Sequence, residues 1–139
     1  MLVSAVISLL AVTRVAQAAP SPPTAPIVTV ASGTITGSST NGTETFYGIP
    51  YAIPPIGPLR LRQPLPYVGR YPGGALNGTK IPARCPQLGA NPLSTSTVPE
   101  SEDCLTVNIR RPTGTAANAK LPVIFWIYGG SELNAFYVN

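Results

Sequence analysis

Leu121-Pro122-Val123-Ile124-Phe125-Trp126-Ile127-Tyr128-Gly129-Gly130-Ser131 is an unbroken apolar run that stops at two glycines. A short run of this kind, bounded by Pro and Gly and rich in β-branched and aromatic residues, predicts a strand buried on both faces. The glycines after it predict a loop with accessible backbone N–H groups. Such a loop can be an ordinary turn after a buried strand, or it can offer its amides to a developing negative oxygen. Both readings fit the run taken by itself.

Working outward, the remainder of the chain is short of charge and rich in chain breakers. The sequence has 139 residues, 17 Pro, 13 Gly and 10% charged residues, yet 44% are hydrophobic, which argues for a loop-rich folded body and against disorder. The net charge of +4 comes from Arg14, Arg60, Arg62, Arg70, Lys80, Arg84, Arg110, Arg111 and Lys120, scattered along the chain. No basic stripe forms, so nucleic acid is not an expected partner. Histidine is absent, which removes the usual general base for a serine or cysteine nucleophile.

Leu2 to Val12 reads as the apolar core of a signal peptide, and Ala16-Gln17-Ala18 places small residues where a signal peptidase reads. Residues 1–18 are therefore expected to be a signal peptide, and 19–139 a secreted, extracellular domain. The alternative is an uncleaved anchor, but Arg14 and the Pro20–Pro26 stretch cut the run below the ~20 residues of a membrane span. Beyond it, Ile27–Ala31 and Thr34–Gly37 flank Ser32-Gly33, and Glu44–Gly48 follows Asn41-Gly42. These hairpin signals predict a three-stranded antiparallel meander. Asn41-Gly42-Thr43 and Asn77-Gly78-Thr79 are also acceptor sequons, so Asn41 and Asn77 are candidate glycan sites as well as ordinary turn residues.

From Gly48 to Pro66, six prolines each fix φ and remove a donor, which predicts an extended, non-helical segment. A proline-rich ligand for a recognition domain is the less favoured reading of that segment. Cys85 and Cys104 are the two cysteines. An even count in a secreted chain predicts a disulfide, worth roughly 3 kcal/mol on loop-entropy grounds. Two cysteines without histidine make a poor metal site, and neither metal nor cofactor is expected. Leu105–Ile109 alternates as a strand, and Arg110 to Lys120 reads as a connector to Leu121.

Three blocks, in this order, resemble the type-B carboxylesterase/lipase family, the cholinesterase-like branch of the α/β-hydrolase fold, in the style of its secreted fungal members. They are Gly48-Ile49-Pro50-Tyr51-Ala52 with Pro54-Pro55-Ile56-Gly57-Pro58-Leu59-Arg60-Leu61, then Ser101-Glu102-Asp103-Cys104-Leu105-Thr106-Val107-Asn108-Ile109, then Trp126-Ile127-Tyr128-Gly129-Gly130. The resemblance implies an α/β class, here the N-terminal, strand-rich and Pro-rich portion of the hydrolase fold leading into its central sheet. It further implies that Gly130 and Ser131 donate backbone N–H groups to the oxyanion, that Cys85 bridges Cys104, and that Arg60 pairs with Glu102. Leu61 departs from the pattern where an aromatic is usual, a mild change of core packing. Arg110 departs where the block usually continues apolar, Ser131 replaces the third glycine, which a backbone donor tolerates, and the tail from Glu132 to Asn139 no longer follows the family, which suggests a truncated or misread frame.

The family's reaction is hydrolysis of a carboxylic ester by a serine on a Gly-x-Ser-x-Gly elbow, a histidine and an acid. The sequence has no Gly-x-Ser-x-Gly and no histidine, so the chain by itself is expected to be inert while the full-length protein would be an esterase acting on small-molecule or lipid esters. Leu88, Leu93 and Val98 are the only large aliphatics between the cysteines, which points to soluble esters over an interfacially activated lipase. The alternatives are a non-catalytic secreted binding module with the same fold and a Pro-rich matrix protein, the latter without repeats to support it.

Overall fold

The computed structural model describes residues 24–87 and 98–128. Six strands form two three-stranded sheets: β1 (Ile27–Val30), β2 (Gly33–Thr36), β3 (Ser38–Thr40), β4 (Thr43–Pro50), β5 (Ala75–Asn77) and β6 (Thr106–Pro112). One sheet has the order β1-β2-β5 and the other β3-β4-β6. The β1–β2 and β3–β4 pairs are tight antiparallel hairpins, with Val30 opposite Gly33 and Thr40 opposite Thr43. At the second turn Asn41 (φ 50°) and Gly42 (φ 76°) are both left-handed, the geometry whose twist matches that of the flanking strands.

The three-stranded meander expected from the sequence is not what forms. β2 takes the later strand β5 as a parallel neighbour, and β4 takes β6 as an antiparallel one, so the two hairpins lie in different sheets. The switch occurs at Gly37, the one residue between β2 and β3. Its N–H donates to the Pro26 carbonyl at 2.8 Å, and a Cβ there would come within 2.6 Å of Phe46 Cδ1 and of the Thr45 carbonyl oxygen. Only a residue without a side chain lets the chain pass so close beneath Phe46.

That passage defines the core. Ile35, Phe46 and Tyr71 are buried together, with Val28, Ile49, Tyr67 and Leu76 packed around them. Tyr71 and Tyr67 stack with ring centroids 5.9 Å apart, and burial, with Tyr67 adding to it, raises the Tyr71 phenol above its ordinary value of 10.0. Glu44 is the buried acid. Its Oε2 accepts from Arg111 Nε at 2.6 Å and its Oε1 from the Gly114 N–H at 3.3 Å, while the Arg111 guanidinium lies 5.3 Å from the Phe46 ring centre.

Three further expectations are corrected. The Pro-rich segment contains a single turn of 3-10 helix at Gly57–Leu59, with Pro58 in the first turn, where its missing N–H costs nothing. β6 runs through Arg110 and Arg111 to Pro112 and does not stop at Ile109, because Glu44 stands opposite Arg111 and satisfies its charge. The run from Leu121 to Tyr128 forms no strand, and its residues Val123–Ile127 are 74–91% exposed. A strand buried on both faces needs neighbours in its own sheet and helices above and below it, and no described residue supplies them.

Candidate functional site

The site implied by the resemblance begins where the described residues end. Gly130 and Ser131 lie outside them, as does the tail to Asn139. What the structure does place is the chain just before them, up to Tyr128. Tyr128 and the two cysteines line one small cavity, together with Arg84, Thr106 and Asn108. Cys85 and Cys104 are joined by a disulfide with their Cα atoms 5.1 Å apart. Thr106 and Asn108 come from β6, and Asn108 Oδ1 accepts the Gly48 N–H at 3.0 Å, which fixes this end of β6 to the irregularity in β4 between Phe46 and Ile49.

The cystine loop is closed at its base by more than the cystine. Arg84 N–H donates to the Pro99 carbonyl and Ser101 N–H to the Arg84 carbonyl. The Arg84 guanidinium also meets Glu100 at 2.8 Å. A second ion pair, Arg60 Nε to Glu102 Oε1 at 2.5 Å, ties the Pro-rich segment to the residues just before Cys104. Its side chains are 61% and 39% exposed, so it contributes at most about 1 kcal/mol. Leu61, next to it, is 94% exposed with φ 58°, so its side chain packs into no core among the described residues.

The cavity measures about 60 Å³, room for a few waters and far below the roughly 300–1,000 Å³ of an organic-ligand pocket. Among the described residues there is no group of three metal-ligating side chains and no helix long and apolar enough to cross a membrane. The glycan candidates both sit on the surface: Asn41 at the β3–β4 turn, Asn77 at the end of β5. Sequence reasoning missed the Glu44–Arg111 pair, although Glu44 sits in phase with Phe46 on β4, where an inward-facing acid calls for a cation.

Comparison with known proteins places these elements. The sequence profile of the Carboxylesterase family matches residues 24–136. Secreted lipase 1 of Botryotinia fuckeliana is 40% identical over 126 residues, covering 76% of this chain and 22% of that protein. Lipase 5 of Diutina rugosa is 41% identical with the same coverage. Among solved structures, a PNB esterase superposes with a TM-score of 0.69 at 36% identity, covering 81% of this chain and 23% of the esterase. Aspergillus niger EstA superposes with a TM-score of 0.68 at 29% identity. The chain therefore spans about a fifth of the length of the curated relatives it matches.

Proposed function

The chain belongs to the carboxylesterase family, and on that premise we propose that it is the N-terminal segment of a secreted carboxylic ester hydrolase, with residues 1–18 as signal peptide and 19–139 as part of the catalytic domain. The supporting observation is the superposition on a PNB esterase with a TM-score of 0.69, over 81% of this chain but 23% of that structure. In this reading the two small sheets and the cystine form the rim from which the chain enters the hydrolase's central sheet. Leu121–Tyr128, which forms no strand in the chain alone, becomes the entering strand once the rest of the sheet flanks it, and Gly130 and Ser131 supply backbone N–H groups that stabilise the oxyanion of the tetrahedral intermediate.

An oxyanion loop stabilises a charge that another group must create. The nucleophilic serine needs a base to take its proton and an acid to orient that base. With no histidine and no Gly-x-Ser-x-Gly in the sequence, the chain by itself does no ester hydrolysis. The test pairs two proteins: the chain alone, and the chain fused to the portion of the Botryotinia lipase that follows the matched segment. On a p-nitrophenyl ester, the chain alone should stay at the buffer rate and the folded fusion should turn over substrate. Turnover by the chain alone refutes its inertness. A fusion that melts cooperatively yet is inactive refutes the segment reading.

A further inference from the structure

The two Asn-Gly-Thr sequons look equivalent in sequence and differ in structure. Asn41 occupies the tip of the β3–β4 turn, exposed, and its side chain makes no hydrogen bond to any described residue. The space around the neighbouring Gly42 is open, since a Cβ there would meet no atom within 4 Å. Asn77 is folded back on its own sequon. Its Oδ1 accepts from the Thr79 N–H at 3.1 Å and from the Thr79 hydroxyl at 2.7 Å, so the hydroxyl that defines the sequon is already committed.

The residue between them is committed too. Gly78 is buried, its N–H donates to the Thr36 carbonyl at 2.8 Å, and its carbonyl accepts the Tyr47 N–H at 2.8 Å. This glycine bridges the two sheets. Drawing residues 77–79 into an enzyme's cleft therefore breaks both of these hydrogen bonds and the Thr36–Asn77 pairing that ends β5. Synthesis order sharpens the contrast. Thr36 and Tyr47 precede Asn77 in the chain, so the partners that close its sequon are made before it. The Asn41 hairpin gains its outer strand, β6, only after residue 112 is made.

We propose that Asn41 is the N-linked glycan site of this chain and that Asn77 is instead a structural residue whose amide oxygen caps the turn at Thr79. The transfer forms a bond from Asn41 Nδ2 to C1 of an oligosaccharide carried on a lipid diphosphate. The C1–O bond breaks with its electron pair going to the diphosphate, and Nδ2 loses one proton. The inference requires entry into the secretory lumen and is independent of the hydrolase reading.

The test expresses the full chain in yeast and reads the protease-protected, lumenal fraction, before and after endoglycosidase, by gel mobility and peptide mass spectrometry. One mobility step is expected, mapping to Asn41, lost in Asn41→Gln and in Thr43→Ala, retained in Thr43→Ser and unchanged in Asn77→Gln. Thr43→Ala keeps the Asn-Gly turn, so its loss of the step cannot be put down to misfolding of the hairpin. A lumenal chain without sugar at Asn41, equal occupancy at Asn77, or no lumenal chain at all would each overturn the proposal.

Discussion

Glu44 is a charge held against its own interest. Its side chain is buried on β4, and it stays ionised there because Arg111 donates to one oxygen and Gly114 to the other. The Arg111 hydrogen bond is the largest influence, opposed by burial and assisted by Gly114, and together they lower the Glu44 pKa from 4.5. A folded-state pKa below the unfolded one gives stability that is complete above pH 4.5 and lost as pH falls through the folded value. Urea melts over roughly pH 3 to 7 should show that acid limb in the native chain and a flatter one in Glu44→Gln, which is also less stable near neutrality. An unchanged acid limb in Glu44→Gln would assign the titration elsewhere.

Between elements, the decisive contact is one that a side chain would forbid. Gly37 turns the chain out of one sheet and into the other directly under Phe46. Gly37→Val puts two methyl groups into space occupied by the ring and the Thr45 carbonyl. It should cost at least about 1–3 kcal/mol, read as a lower urea midpoint with the same slope. The same change at Gly42, where the surroundings are open, acts through φ strain alone. Both turns were legible in the sequence, because Ser32-Gly33 and Asn41-Gly42 are local turn signals, but the short strand Ser38–Thr40 that completes the second hairpin was not. The sheet switch was not, since nothing local distinguishes Gly37 from a strand-ending glycine. β5 was also illegible: Ala75-Leu76-Asn77 is too short to alternate, and it forms by pairing in parallel with residues about 40 positions earlier. The candidate oxyanion residues came from the family blocks and not from any local pattern, and they lie beyond Tyr128, where the described residues stop.

For the molecule as a whole, the dominant feature is the apolar run that nothing described covers. Val123, Ile124, Phe125, Trp126 and Ile127 are each about three-quarters or more exposed, a contiguous patch of the kind that marks an interface or an aggregation hazard. Trp126 is the single tryptophan of the sequence and is 74% exposed. Its fluorescence in the isolated, monomeric chain should therefore peak near the fully hydrated limit, be open to acrylamide, and barely move when urea unfolds the sheets. A blue-shifted, protected tryptophan in the dilute chain would mean that the run is already covered.

The lone indole thereby gives the protein an optical gauge at the junction that matters most. The two sheets and the cystine beside them contain no tryptophan, so their melting is read through tyrosine and leaves the indole signal to this junction. Whatever seats itself on Leu121–Tyr128, whether the remainder of a hydrolase body or another copy of the chain, will shift the colour of emitted light before any substrate is offered. In the fusion with the Botryotinia sequence, with a Trp126→Phe control to isolate the signal of this indole, the blue shift should rise in step with ester turnover.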